Sequence, residues 1–239
     1  MPVSDTASQG DLLDHVSCCL ALHGSPDFVP ACLDLIDALG ADQVMIFSYE
    51  VDHAACLMAR NFRQVRTGRR LAAGYLDGWF RQDPLFLRAL QQAAGEVDVL
   101  RIDPLDSPMA ADYRARFFDD PGLGGKLSVL AAGTSLRLVI NLYRSGIENW
   151  TPPAAILPIL GRLALLHFER RRAGGVPDAL MALSARERAV CLGMLDGKKA
   201  EVIADDLGVA PTSVVTYRRR AYDKLGISSR GELFAICRT

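Results

Sequence analysis

No uninterrupted apolar run in the chain approaches the roughly 20 residues that a membrane-spanning helix requires. Its first ten residues, MPVSDTASQG, have neither the basic start nor the apolar stretch of a secretory signal. A cytoplasmic protein with no membrane partner is the expectation. None of the six cysteines forms a C-x-x-C pair, so they read as small buried thiols in a reducing compartment. His15 and His23 flank Cys18 and Cys19 without the spacing of a tetrahedral site, and no metal is expected. Also missing are a nucleophile elbow, a P-loop, a dinucleotide fingerprint and an H-E-x-x-H motif. His53 and His167 are candidate general bases, but His167 lies in an apolar helix and reads as a core histidine. A non-enzyme without cofactor follows.

Within 239 residues, half of them hydrophobic, there is room for two domains with real cores. Apolar spacing from Leu12 to Gly40 is helical. Gln43 to Glu50 and Ala54 to Arg60 read as strands joined by a turn at Asp52-His53. Helical stretches are expected over Gly68 to Trp79, Leu85 to Ala94 and Ser107 to Asp119, with a strand from Glu96 to Asp103 between the last two. KLSVLAA and LRLVINLYR then form a hairpin. Leu136, Leu138, Ile140 and Leu142 share one face of its second strand, and Arg137, Val139, Asn141 and Tyr143 the other. Sequential strands with short links imply an antiparallel sheet, flanked by helical layers. This order excludes a phospho-receiver, whose parallel sheet needs alternating β and α units.

Thr151 to Arg172 is a long apolar helix that Pro158 must either kink or open, because proline removes a helix hydrogen bond. It serves as a buried core helix or as a dimer helix. AGGVPDA, Ala173 to Ala179, reads as a linker. The expected division is a sensing and dimerisation domain over 1–172, a linker over 173–179, and a DNA-binding domain over 180–239.

From Val176 onward ten Lys/Arg face eight Asp/Glu, whereas the preceding residues are net acidic. Ser184 and Glu187 have capping-box spacing. Gly197 ends the first helix, Val202, Ile203 and Leu207 mark a second, Gly208 makes the turn, and Pro211 opens a third. Glu232 to Cys237 is a fourth. Two short helices, a glycine turn and a polar-basic helix are the parts of a helix-turn-helix. Val214, Ala221 and Leu225 stack toward the core, while Thr212, Thr216, Arg219 and Asp223 face outward, flanked by Val215 and Arg220. Hydroxyls and guanidinium groups on one helix face suit a major groove. Candidate DNA-binding residues are Lys198, Lys199, Thr212, Ser213, Thr216, Tyr217, Arg219, Arg220 and Lys224.

Leu183, Arg186-Glu187, Gly197, Ile203-Ala204, Leu207, Val214, Lys224-Leu225-Gly226 and Arg230-Gly231-Glu232-Leu233 resemble, in order and spacing, the C-terminal unit of the LuxR family of bacterial regulators. Val215, Tyr217 and Glu201 depart from residues common there. The first unit resembles, more weakly, the family's quorum-sensing α/β/α domain. The resemblance implies an α+β protein: a sandwich on a five-stranded antiparallel sheet, then a four-helix all-α helix-turn-helix domain. It also implies a homodimer on a palindromic double-stranded operator, and a small-molecule signal.

In the quorum-sensing members an acyl-homoserine lactone is held by a tryptophan, a tyrosine and an aspartate. Asp83-Pro84, within YLDGWFRQDPL, falls where that family's Asp-Pro lies. Counting back, however, the tryptophan position is Arg70 and the tyrosine position Gly74. Candidate ligand residues are therefore Tyr75, Trp79, Asp83 and Ser128, with another small molecule, or none, placed ahead of a lactone. Lys126 stands where the family carries a glycine. Asp83 has a second role open to it, as cap of the helix that Pro84 begins. The competing function is a non-DNA-binding module that heterodimerises with another regulator.

Overall fold

The computed structural model describes residues 9–62, 65–146, 150–173 and 177–237. The N-terminal stretch 1–8, the middle of the expected linker (174–176) and the Arg70 side chain lie outside the described residues.

Two helices lead the chain, α1 (Gln9–Leu22) and α2 (Phe28–Ala38). Gly40, at φ +79°, turns the chain into the sheet, a conformation glycine adopts without steric cost. Strands β1 (Gln43–Tyr49) and β2 (Ala54–Asn61) form a hairpin closed by the Glu50 amide on the His53 carbonyl. Helices α3 (Val65–Leu76) and α4 (Pro84–Gln91) precede β3 (Val97–Ile102). A short α5 (Ala111–Arg114) then leads to β4 (Gly125–Ala132) and β5 (Arg137–Arg144). The five strands are antiparallel in the order β2-β1-β5-β4-β3.

Every residue of β1 is buried, because helices cover both faces of the sheet. On one face Val44, Ile46, Val129, Leu138, Ile140 and Leu142 pack under α1, α2 and the long α6 (Ile156–Ala173). On the other, Met45, Phe47, Tyr49, Leu130, Val139 and Tyr143 pack under α3, α4 and α5. The period-two split expected for β5 is therefore the split between two cores. Pro158 is the third residue of α6, where its missing N–H leaves no intrahelical bond unmade. Gly161 lets α6 lie close on the sheet: a Cβ there would meet Val129 Cγ1 at 2.8 Å and Val97 Cγ1 at 3.1 Å.

Several helix boundaries differ from expectation, among them α4, which ends at Gln91 rather than Ala94. α3 stops at Leu76, because Gly78 takes φ +87° and Trp79 opens a separate 3-10 turn through Gln82. α5 begins four residues later than Ser107 and widens into a π-type turn over Ala115–Asp119. α6 begins at Ile156 rather than Thr151.

The C-terminal unit holds α7 (Ala185–Leu195), α8 (Ala200–Leu207), α9 (Pro211–Leu225) and α10 (Arg230–Cys237) around Val190, Cys191, Ile203, Val214, Ala221 and Leu233. The segment before α7 joins the units: Leu180 and Leu183 belong to this core, whereas Met181 packs into the core under α6. Among the described residues no helix is long and apolar enough to cross a membrane.

Candidate nucleic-acid interface and sensor site

α7 starts on a complete capping box. The Glu187 amide donates to Ser184 Oγ at 3.4 Å, and the Ser184 amide donates to Glu187 Oε2 at 2.9 Å. Lys224 Nζ, from the end of α9, donates to the same Oε2 at 2.6 Å. Burial would push the Glu187 carboxyl up, but the Lys224 bond and the Ser184 bonds outweigh it and hold it low. Lys224 thus clamps α9 to α7. α8 ends at Gly208, left-handed at φ +61°, and the Val209 amide bonds back to the Ala204 carbonyl at 3.0 Å. That turn aims α9.

On α9, Val214 and Ala221 are buried, and Thr212, Val215, Arg218, Arg219, Arg220 and Asp223 are exposed. Ser213, Thr216 and Tyr217 are half-buried at its edges, and the Thr216 hydroxyl donates to the Thr212 carbonyl at 3.1 Å. Lys198 and Lys199 are exposed at the start of α8, where they share a groove of about 880 Å³ with Arg218 and Arg219. Lys198 donates to Asp206 at 2.7 Å, an exposed pair of little energetic weight. The sequence-selected residues other than Lys224 are therefore gathered on or beside one outward face.

The second site lies under α3, α4 and α5. Asp83 caps α4, its Oδ1 accepting from the Leu85 amide at 2.9 Å. Its Oδ2 accepts from Tyr113 at 2.8 Å, Tyr75 at 3.0 Å and Lys126 Nζ at 3.0 Å. The Asp83 and Lys126 side chains have no exposed surface. Burial pushes the Asp83 carboxyl up, but the Lys126 charge, the Leu85 amide and the Lys126 and Tyr113 bonds hold it below the usual carboxylate range. Burial and then the Asp83 charge push the Tyr75 and Tyr113 phenols above their ordinary value, so both stay protonated and donate. Tyr49 shares a short hydrogen bond with Tyr75.

Of the four residues expected here, Tyr75 and Asp83 meet. Trp79 stands apart, half-buried, edge-on to Phe117 and under the Arg116 guanidinium at 5.1 Å. Arg116 also fills the space beside Gly74, where a Cβ would meet its Nη2 at 3.0 Å. Ser128 lies on the same sheet face but donates to Asn141 Oδ1 at 2.7 Å. In that orientation Asn141 Nδ2, like the buried Gln43 Nε2, has no partner among the described residues. Sequence reasoning missed Tyr49, Tyr113 and the pairing of Lys126. Period two would have put Lys126 on the Ser128 face of β4.

His167 is wholly buried and stacks on Phe28 at 4.0 Å, its Nδ1 accepting from the Gly24 amide at 3.0 Å. Burial, then the nearby Arg188 charge, lowers it to about 4.

Residues 181–237 match the family model "Bacterial regulatory proteins, luxR family". The "Probable transcriptional regulatory protein NarL" of Mycobacterium tuberculosis is 42% identical over 66 residues, 28% of this chain and 29% of that protein. The "Response regulator GacA" of Pseudomonas protegens is 44% identical over 52 residues, 22% of this chain and 24% of that one. The chain thus spans under a third of the length of either relative. A solved structure of SdiA in complex with octanoyl-rac-glycerol aligns over 97% of both chains at 13% identity with a TM-score of 0.51, a likeness of fold. Residues 181–237 thus form a domain of the luxR family of bacterial regulatory proteins.

Proposed function

We propose that this protein is a DNA-binding transcription regulator in which residues 180–239 contact the operator and residues 1–172 form the regulatory and dimerising unit. The observation that carries this is the outward face of α9, with Thr212, Thr216, Arg219 and Arg220 held by the Gly208 turn and the Lys224–Glu187 clamp. Guanidinium groups at that position suit guanine edges and phosphates. A homodimer on a two-fold site would draw on the exposed leucines of α1 and α6, Leu13, Leu20 and Leu166. A signal molecule would act through the α3/α4/α5 face of the first unit, beside Tyr75, Asp83 and Ser128. The test is fluorescence anisotropy of DNA duplexes selected by the full chain. R219E/R220E should abolish binding without lowering the melting temperature.

The rival role, a module that sequesters another regulator, draws on the ion pairs that occupy Lys198 and Lys224 and on the acidic Asp223 of the same face. Under that role R219E/R220E would leave regulation intact in cells.

A further inference from the structure

Resting on the reading of the first unit as a sensor, we propose that Lys126 is that unit's internal ligand. Its ammonium occupies the donor position on the Asp83 carboxylate and closes the face against outside amide or ammonium donors.

Oδ2 of the carboxylate has no acceptor capacity left. It takes Tyr75, Tyr113 and Lys126, more donors than its roughly two lone-pair sites, while Oδ1 takes the Leu85 amide. The donors come from α3, α4, α5 and β4, so one ion fastens all three covering helices to the sheet. Lys126 Nζ also lies over the rings of Phe118 and Tyr143, at 6.0 and 5.9 Å from their centroids. An incoming amide would offer one neutral hydrogen bond in exchange for stranding a buried ammonium, and the second effect is larger. Lys126 therefore determines specificity by exclusion: N-acyl amides gain nothing at Asp83, and the sensor reaches its closed form from its own chain. A free α-amino or alkylammonium compound is excluded for the same reason.

Lys126→Ala tests this, because it removes the atoms from Cγ to Nζ, the size of n-propylamine. The variant should melt about 10 °C lower than wild type. Millimolar n-propylammonium should restore part of that loss, well beyond the effect of 1-propanol, while leaving wild type unmoved. Wild type should show no shift with N-acyl-homoserine lactones of several chain lengths. Equal effects of amine and alcohol would overturn the proposal, as would a lactone shift in wild type that Asp83→Asn abolishes. Should Lys126→Ala not fold, D83N/K126M keeps the test open. A neutral pair should fold and melt above either single variant, and a double variant no more stable than the singles overturns the proposal. Thermal melting involves no DNA, so a protein that passes these tests yet binds no operator contradicts the proposed function and not this inference.

Discussion

Lys126 Nζ lies 3.0 Å from Asp83 Oδ2 with both side chains wholly buried, across the interface between the sheet and the start of α4. A buried pair of this kind gives little net stability over an apolar pair, yet breaking it is expensive because one charge is left uncompensated. The expectation is that Lys126→Met and Asp83→Ala each lose about 3–5 kcal/mol in urea unfolding. Losses below about 1 kcal/mol for both would show that the pair does not hold the face together.

His167 sets a pH dependence. Its folded value, about 4, lies below its ordinary 6.5, so the unfolded chain binds the extra proton first as pH falls. The contribution is fully present above pH 6.5 and is lost between 6.5 and 4, by about 3 kcal/mol at most. Asp83, also depressed, adds its loss only below its ordinary 3.8. Unfolding free energies measured at intervals from pH 7.5 to 4 should decline, and His167→Gln, which can still accept from Gly24, should flatten the slope.

Met181 ties the two units. Its side chain is in the α6-side core while its neighbours Leu180 and Leu183 are in the helix-turn-helix core. Met181→Ala should cost about 2–4 kcal/mol and separate a single calorimetric transition into two. One undivided transition in the variant would mean that other contacts couple the units.

Glu187 serves both the cap of α7 and the clamp on α9. Ser184→Ala should cost about 1 kcal/mol, the usual worth of a cap. Glu187→Ala should cost more and also weaken DNA binding, since α9 loses its anchor; equal costs with unchanged affinity would deny Glu187 the second role.

Much of the fold was legible because its signals are local. The alternation in β5, the capping box at Ser184, Gly208 and Pro211 each act within a few residues, and the structure has all of them. Asp83 was legible as a cap for the same reason. Its second oxygen was not, because its donors lie 8, 30 and 43 residues away, and only the packed sheet brings them together. Taken as a replaced glycine, Lys126 gave no hint of a partner. Trp79 looked like a pocket residue until the positive φ of Gly78 rotated it out of the α3 register toward Arg116. The exposed face of α9 followed from helical period alone, whereas Lys224, on the basic side by composition, is drawn to Glu187 by a contact 37 residues distant.

The central claim, that α9 reads a DNA operator, is tested most directly by selecting DNA from a random-sequence pool with the purified full chain. Wild type should enrich a two-fold motif with half-sites about one helical turn apart. Binding should weaken steeply with salt as Lys/Arg displace counterions, and R219E/R220E should enrich nothing. No enriched motif with wild type at low salt, or the same motif retained by R219E/R220E, would contradict it.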